Sequence, residues 1–256
     1  MLKLYGGSTM ADYNVKFTLP DVVYHGTTMN AIDNPSGLKH KLINFNFLKE
    51  SRQKDFGTGF YTTIDLKQAM SWPLGKFITS IQTGFESMMQ SDLPAVAKIR
   101  ILPENYDDLL NVVDFRGESH EWVKYILTHR FDSSFDYCRC ENHAHIVCGS
   151  MADNNTGHVI SEFINSGMDI TNPDHQKWFG EQITLSKDGT RRLLGLELGD
   201  QIAFFDERLN RMLKFEGYYK LNYDRFLEKL SNQWDNSNEW DDIYQFQEEW
   251  DYYEES

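Results

Sequence analysis

The sequence has little of several residue classes, and each shortage excludes a class of protein. It holds only three cysteines in 256 residues, an odd number that does not predict the disulfide framework of a secreted protein. No run approaches the roughly 20 apolar residues that span a bilayer, and residues 1–10 lack a basic start followed by an apolar stretch. We therefore expect a soluble, cytoplasmic protein with no membrane partner.

Basic side chains are also in short supply. Lys and Arg number 25 against 39 Asp and Glu, which gives a formal net charge of −14. The excess is concentrated in residues 231–256, which hold nine acidic and no basic side chains and leave −5 for residues 1–230. Such a field repels a phosphate backbone at long range, although a local basic groove could still hold RNA or DNA. Charge therefore disfavours a nucleic-acid partner without excluding one.

The three cysteines lie close together at Cys138, Cys140 and Cys148, with His143 and His145 between them. Thiolate and imidazole ligands suit zinc. The order Cys-x-Cys and then His-x-His is not a common zinc-finger pattern, however, and the six residues from His143 alternate as a strand does. We therefore expect reduced thiols and no metal.

The order of apolar patterns predicts one α+β domain over residues 21–230, preceded by an extension of residues 1–20 and followed by an acidic aromatic tail of residues 231–256. Alternation and glycine hinges predict strands at residues 22–24, 55–63, 95–102, 143–148 and 201–205. Helical spacing predicts helices at residues 66–72, 120–130, 209–213 and 226–230. Residues 153–158 are predicted to form a polar turn.

The acidic tail is unusual because it is also rich in aromatic side chains. Acidic disordered segments are normally poor in such residues. Five tail residues approximate one helical stripe: Trp240, Ile243, Tyr244, Gln247 and Trp250. Since these side chains favour burial, we expect a helix that packs on the body or on a partner protein.

Three separated segments carry a pattern with functional content. Residues 24–27 read Tyr-His-Gly-Thr, residues 57–63 read Gly-Thr-Gly-Phe-Tyr-Thr-Thr, and residues 201–205 read Gln-Ile-Ala-Phe-Phe. Each segment alone is unspecific, and the second lacks the Lys-Ser/Thr of a nucleotide triphosphate loop. In this order they resemble the active-site strands of ADP-ribosyltransferases of the diphtheria-toxin and poly-ADP-ribose-polymerase type.

The likeness covers roughly residues 21–220 and is closest to a bacterial family of such enzymes. That family has a Tyr-His-Gly start and an Asp-Phe-Gly-x-Gly-Phe-Tyr centre, which matches residues 55–61. Its Glu-Trp helix and its Gly-x-x-Ala-Asp turn match Glu121-Trp122 and residues 149–153. The resemblance implies an ADP-ribosyltransferase-like split antiparallel β-sandwich with flanking helices.

The same resemblance implies a function and its partners. It implies a mono-ADP-ribosyltransferase toxin that takes ADP-ribose from NAD, with no metal. The acceptor would be a macromolecule, either a nucleic-acid base in RNA or DNA or a protein side chain. Members of the family often lie in toxin–antitoxin or phage-defence operons, so an antitoxin protein is an expected partner.

The resemblance also assigns roles to individual residues. His25 would bind the adenosine ribose, and the backbone of Gly26, which has no Cβ, would pair with the nicotinamide carboxamide. Tyr61 would form one face of the nicotinamide slot, and Trp72, eleven residues later, would form the other. The remaining residues of the expected NAD-binding set are Tyr24, Thr27, Gly59 and Ser71.

The third segment departs from the usual pattern, because the strand that normally supplies a catalytic glutamate carries Gln201. A neutral amide can orient the nicotinamide ribose, but it stabilises developing positive charge less and is a poor base. This favours transfer of a single ADP-ribose, with His25, Tyr61 and Gln201 as the catalytic residues. A one-residue shift would put Asp200 at the site, and the other carboxylates considered are Glu121 and Glu197.

Two other functions remain open from the sequence. A protein that has lost catalysis could keep the fold in order to bind NAD, ADP-ribose or a partner protein. An NAD glycohydrolase would need no macromolecular acceptor.

Overall fold

A computed structural model describes residues 19–33, 38, 54–57, 59–82, 92–102, 111–115, 117–131, 144–152, 156–184, 192–193, 196–197, 199–234 and 243–255. The strands are β1 (Val22–Thr28), β2 (Phe60–Thr62), β3 (Pro94–Ile101), β4 (Val112–Asp114), β5 (Ile146–Ser150), β6 (Arg192–Leu193), β7 (Leu196–Glu197), β8 (Asp200–Phe204), β9 (Leu213–Leu221) and β10 (Trp250–Glu254). The α-helices are α1 (Met29–Asp33), α2 (Leu66–Gln82), α3 (His120–Phe131), α4 (Thr156–Asn165), α5 (Pro173–Thr184) and α6 (Tyr223–Trp234). Two 3₁₀ helices span Glu207–Met212 and Ile243–Glu249. The chain is therefore α+β.

The first sheet has the strand order β1-β3-β9-β10 and is antiparallel throughout. The second has the order β2-β8-β5-β4, and its β4 and β5 run parallel. The expectation of a purely antiparallel sandwich is wrong for this pair. The physical reason is that α3 connects β4 to β5, and a helical crossover returns the chain in the same direction.

Among the described residues, a backbone bridge joins β1 to the residue that follows β2. The Tyr24 amide donates to the Thr63 carbonyl at 2.8 Å, and the Thr63 amide donates back to the Tyr24 carbonyl at 2.9 Å. Continued by two residues, this antiparallel ladder would set Gly26 opposite Tyr61. The described residues form no such pair, so β1 and β2 separate there and leave a cleft.

The helices pack on the sheets in two groups. Helix α2 and the side chains of α6 pack against the first sheet, in a core that includes Leu74, Val96 and Phe226. Helices α3, α4 and α5 form a second core around the fully buried rings of Trp122 and Phe179. Ile146, Ile202 and Phe204 of the second sheet belong to the first core, whereas Val147 and Ala203 belong to the second. The second sheet therefore lies between the two cores.

The tail of the chain folds onto the first sheet. Residues Ile243–Glu249 form a 3₁₀ helix, and β10 then pairs with β9 as an edge strand. Phe246 is 2% exposed and Trp250 is 9% exposed. The predicted single helical stripe is wrong at Trp250, which lies in β10. The edge of β9 provides backbone hydrogen-bond partners for the chain there. Trp240 lies outside the described residues.

Several local predictions can be compared with the structure. Strands at 22–24 and 95–102 and helices at 66–72, 120–130 and 226–230 are present, most of them longer than predicted. The predicted helix at 209–213 is a 3₁₀ helix that ends at Met212, since Leu213 already pairs with β3. The predicted polar turn at 153–158 is wrong from Thr156, where α4 begins.

The cysteine cluster lies mostly outside the described residues, which exclude Cys138, Cys140 and His143. Cys148 is buried in β5 with a free thiol, and burial raises its pKa well above the ordinary value. Within the described ranges, no group of three or more His, Cys, Asp or Glu side chains is placed to hold a metal ion. In the same ranges no helix is long and apolar enough to cross a membrane.

Candidate active site

A cavity of about 730 Å³ occupies the cleft between β1, β2 and α2. Residues of all three segments singled out in the sequence line it: Tyr24, His25, Gly26, Thr27, Tyr61 and Gln201. Trp72 of α2 lines it as well. Side chains separated by more than 170 positions therefore face one space.

His25 is held in a defined protonation state. Its Nδ1 lies 2.7 Å from the Tyr61 carbonyl oxygen. Because a carbonyl oxygen can only accept, Nδ1 carries the hydrogen, and Nε2 is left as an acceptor in the neutral ring. The pKa of His25 is lowered to about 4, mainly by burial. The hydrogen bond to the Tyr61 carbonyl opposes this shift, and the charges of Lys54 and Lys76 add to it. The ring is therefore neutral at neutral pH.

The backbone of Gly26 points into the cleft. In an antiparallel strand, successive residues direct their N–H and C=O groups to opposite edges. The Met29 amide donates to the Leu93 carbonyl at 2.9 Å, so odd-numbered residues of this segment pair with β3. Tyr24 pairs on the other side with Thr63. Gly26, two residues on, thus directs both backbone groups to the edge where β2 has separated.

Gly26 also has no room for a side chain. A Cβ there would overlap the Ala69 carbonyl oxygen and would lie 2.9 Å from Pro73 Cδ. Pro73 lies inside α2 and has no amide hydrogen to donate to the Ala69 carbonyl, four residues before it. The glycine thus lets α2 approach β1 closely, a packing reason that operates beside any role in ligand binding.

Gln201 is oriented by a carboxylate. Its Nε2 donates to Asp55 Oδ2 at 2.8 Å, and its side chain is buried. A carboxylate oxygen accepts and does not donate, so the amide nitrogen must face Asp55 and Oε1 must face away from it. Gln201 thereby presents an acceptor oxygen in the cavity, as a carboxylate would, but without its charge.

Asp55 is itself held on both oxygens. Oδ1 forms an ion pair with Arg130 at the end of α3, and Oδ2 also accepts from the Ala152 amide at 2.9 Å. Charge-assisted bonds of this kind fix geometry more firmly than neutral ones. The Asp55 carboxylate therefore positions Gln201, and the Arg130 guanidinium compensates its buried charge.

The Tyr61 hydroxyl is fully engaged within the Asp55–Gly57 segment. It accepts from the Phe56 amide at 2.9 Å and donates to the Gly57 carbonyl at 2.6 Å. Burial and the nearby Asp55 charge raise the pKa of Tyr61 well above its ordinary value. The hydroxyl is therefore a structural tether, and the ring is the part of Tyr61 that is available to a ligand.

Two lysines rest on the aromatic rings of the cavity. Lys54 Nζ lies 4.7 Å from the centroid of the Tyr61 ring, and Lys76 Nζ lies 5.3 Å from that of Trp72. Both lysines line the same cavity. The two rings that the sequence assigns to one slot thus each carry an ammonium group.

The structure does not bring every expected residue to the cavity. Gly59 packs under β8, where a Cβ would lie 2.6 Å from the Phe205 ring. Ser71 is buried, and its Oγ donates to the Lys67 carbonyl at 2.8 Å. Asp200 is exposed and accepts from Ser150 Oγ at 3.0 Å, and Glu121 is exposed on α3. The side chain of Glu197 lies outside the described residues.

Sequence reasoning missed the residues that support the site, above all Asp55, Arg130, Lys54 and Lys76. Asp55 stood in the quoted Asp-Phe-Gly motif, and its place directly before a glycine hinge was the signal that could have identified it. Arg130 and the two lysines carry no local signal. Their importance depends on which neighbours the fold supplies.

The comparisons with known proteins place the chain in a family without assigning an activity. No curated protein and no solved structure matches the chain. A model of the family described as "Protein of unknown function (DUF3990)" matches residues 22–215, from the start of β1 into β9. Every residue that lines the cavity falls within that match. The chain therefore belongs to this family.

Proposed function

We propose that the chain is a mono-ADP-ribosyltransferase that takes ADP-ribose from NAD in this cavity. One observation carries the proposal. The open backbone edge of Gly26, the neutral His25 ring and the oriented Gln201 amide line the same cavity as two aromatic rings. This combination supplies a carboxamide partner, two acceptors for ribose hydroxyls and two faces for a pyridine ring.

The residues fit a bent dinucleotide by their hydrogen-bonding roles. A backbone N–H and C=O on one residue are complementary to a carboxamide. The nicotinamide carboxamide would therefore form with Gly26 the two hydrogen bonds that a residue of β2 would otherwise form. His25 Nε2 would accept from a hydroxyl of the adenosine ribose. Gln201 Oε1 would accept from a hydroxyl of the nicotinamide ribose, and Tyr61 and Trp72 would enclose the ring.

The chemistry then depends on positioning. The bond between the ribose C1′ and the nicotinamide nitrogen breaks, its electron pair leaves with nicotinamide, and the acceptor's nucleophilic atom bonds to C1′. Gln201 and Gly26 would hold the two sides of that bond in place, which can supply a large share of the rate. Gln201 would stabilise the positive charge that develops on the ribose less than a carboxylate would.

The surroundings of Gln201 support transfer of a single unit. Chain elongation needs a base that activates a ribose hydroxyl as the next acceptor. Asp55 is the carboxylate that contacts Gln201, and both of its oxygens are already bound to Arg130, Ala152 and Gln201. A transferase with this site would need an acceptor that is already nucleophilic.

The ADP-ribosyltransferase-like fold is part of the same proposal. Two four-stranded sheets that touch at Tyr24 and Thr63 and then separate around a cavity agree with a split β-sandwich. The parallel pair β4–β5 departs from the strictly antiparallel form. The resemblance of the sequence segments, together with this split, supports the assignment.

The deciding experiment is a labelled-NAD transfer assay on a whole-cell lysate. Wild type is compared with His25→Ala and Gln201→Ala, and with Glu121→Ala as an exposed control outside the cavity. We expect wild type and the control to transfer label, and both cavity variants to lose most of it. Label removed by nuclease identifies a nucleic-acid acceptor, and label removed by protease identifies a protein.

The same assay separates the two alternatives. Nicotinamide release without any labelled macromolecule would identify an NAD glycohydrolase. NAD binding in a calorimeter without nicotinamide release would identify a binding protein that has lost catalysis. Neither binding nor release would contradict the proposal.

We further propose a cytoplasmic toxin that an antitoxin protein restrains. A transferase that modifies an essential macromolecule would harm the cell that makes it unless a partner protein blocks its site. Expression of wild type from a tightly regulated promoter should stop growth, and His25→Ala should not. Equal growth of the two strains at equal protein levels would contradict the toxin assignment.

A further inference from the structure

Lys54 and Lys76 line the cavity beside two of its aromatic rings. Within the part of the chain that the structure describes, neither ammonium group forms an ion pair or a hydrogen bond, and each has only an aromatic ring beneath it. Lysines of a folded protein seldom turn into a cavity without a carboxylate, because the ammonium group loses water there. Asp55 and Asp92 line the same cavity, but neither of these described carboxylates pairs with Lys54 or Lys76.

The two charges also oppose each other. Burial lowers the pKa of Lys54 to about 8, and the charge of Lys76 contributes in the same direction. Both ammonium groups also help to lower the pKa of His25. Two like charges close enough to interact across a cavity destabilise the empty site, and a ligand with two adjacent negative charges would relieve that repulsion.

The ring contacts constrain what such a ligand does. The pyridine ring of NAD is positively charged, so an ammonium group on the face of Tyr61 or Trp72 repels it. A cation on a ring face is worth about 0.5–1 kcal/mol at exposed sites, less than a charge-assisted hydrogen bond to a phosphate. A diphosphate would therefore draw both lysines off the rings.

We propose that Lys54 and Lys76 bind the diphosphate of the dinucleotide, and that their transfer from the Tyr61 and Trp72 rings to the phosphates opens the slot for the pyridinium ring. The identification of that ligand as NAD rests on the proposed function. The diphosphate site does not rest on that function. It follows from two lysines that line one cavity and pair with no described carboxylate.

The experiment uses ADP and adenosine as probes, titrated calorimetrically into the full chain. The variants are Lys54→Met, Lys76→Met and the double variant. Lys67→Met is the matched control, since Lys67 is an exposed lysine of the same helix as Lys76 and does not line the cavity. Thermal melting confirms that each variant is folded.

We expect wild type and Lys67→Met to bind ADP more tightly than adenosine, with an affinity that falls as salt rises. Each cavity variant should lose roughly tenfold in ADP affinity and little in adenosine affinity. ADP affinity unchanged in the double variant, or no ADP binding by wild type, would overturn the diphosphate site.

A second titration tests the opening of the slot. The probe is 1-methylnicotinamide, which has the same pyridinium charge as NAD. We expect saturating ADP to strengthen its binding several-fold in wild type and not in the double variant. If ADP leaves its affinity unchanged in wild type, the transfer of the lysines between rings and phosphates is contradicted.

These results are independent of the transfer assay. Lysine-dependent ADP binding in a chain that never releases nicotinamide would refute the transferase and keep the diphosphate site. Transfer of ADP-ribose at wild-type NAD affinity by the double variant would do the reverse.

Discussion

Gln201 and Asp55 lie 146 positions apart in the chain, and the Gln201 amide donates to the Asp55 carboxylate at 2.8 Å. This bond decides which end of the amide faces the cavity. It also places a carboxylate directly behind the neutral residue for which we propose a role in orienting the ribose. The Asp55 carboxylate therefore acts on the cavity through the side chain that it orients.

Changing Gln201→Glu should therefore harm the protein. The new carboxyl group would face Asp55 without a hydrogen to share, and adjacent carboxylates raise the pKa of one of the pair. We expect the free energy of unfolding to fall by roughly 3 kcal/mol at pH 7 and the loss to shrink toward pH 5, because protonation of the pair restores a donor. Urea unfolding at both pH values measures this.

The matched control is the double variant Asp55→Asn with Gln201→Glu, which exchanges the two groups and keeps the formal charge. It should recover part of the lost stability, because the amide introduced at position 55 again provides a donor for residue 201, while the Ala152 amide loses the acceptor that Asp55 Oδ2 gave it. A Gln201→Glu protein as stable as wild type at pH 7 would show that Asp55 does not orient residue 201.

His25 should make stability depend on pH. Its pKa is about 4 in the folded chain and about 6.5 when unfolded. Between these values the unfolded chain binds more protons, so stability rises with pH through this window and is level above it. At about 1.4 kcal/mol per pKa unit, we expect roughly 3 kcal/mol to be lost between pH 7 and pH 4.

The variant His25→Asn isolates this contribution, because the asparagine amide can still donate to the Tyr61 carbonyl but does not titrate. Other histidines, including His145 with its own lowered pKa, contribute equally to both proteins. Parallel stability profiles for wild type and His25→Asn between pH 4 and pH 7 would show that His25 is not buried in the neutral form.

Gly26→Ala should close the cleft from the side of α2. The added methyl group would meet the Ala69 carbonyl and the Pro73 ring, and overpacking of this kind costs about 1–3 kcal/mol. The melting temperature and the affinity for NAD should both fall. Gly180→Ala is the comparison, since a Cβ there lies 3.0 Å from the movable Val123 side chain, and it should cost less and leave NAD binding intact. Equal losses in the two variants would argue against a rigid contact at Gly26.

Tyr61→Phe should distinguish the contribution of the Tyr61 hydroxyl to stability from that of the ring to NAD binding. The variant keeps the face proposed for nicotinamide but leaves the Phe56 amide and the Gly57 carbonyl without their partner. An unsatisfied buried group costs about 1–3 kcal/mol. We expect lower stability with NAD affinity reduced only slightly, whereas Tyr61→Leu should lose affinity as well. If the two variants bind NAD equally, the ring has no role in binding.

The aromatic tail should prove structural. Trp250→Ala would remove a buried ring from the edge of the first sheet, and core Trp or Phe truncations cost about 3–5 kcal/mol. Tyr253, in the same strand, is 44% exposed, so Tyr253→Ser should cost much less. Melting temperatures compare the two directly. Similar small shifts would mean that β10 contributes little to the fold and that the tail is free to serve a partner.

Local patterns were sufficient for much of the architecture. Alternation identified β1 and β3, and helical spacing identified α2, α3 and α6, because these periods depend on neighbours within the element itself. The boundaries were less accurate. Pro73 was no guide to the end of α2, which continues through it to Gln82, since packing against β1 and β3 outweighs the missing amide.

The tail shows where local patterns are insufficient. Its aromatic spacing fits a helix as well as it fits a strand over five residues. What decided in favour of β10 was the unpaired edge of β9, a feature of the folded sheet that the tail sequence does not contain. The burial of Phe246 and Trp250 agrees with the prediction, whereas Tyr252 and Tyr253 are exposed and the secondary structure was not predicted.

The sequence by itself determined that the chain is α+β, that it is acidic chiefly at one end, and that three separated segments resemble active-site strands. Those properties follow from the residue types and their spacing along the chain. Only the tertiary structure decided that Asp55 orients Gln201, that Arg130 compensates Asp55, that α2 leaves Gly26 no space for a side chain, and that two lysines rest on the cavity rings. Each of these depends on contacts between residues far apart in sequence, whose energies exist only once the chain has brought them together.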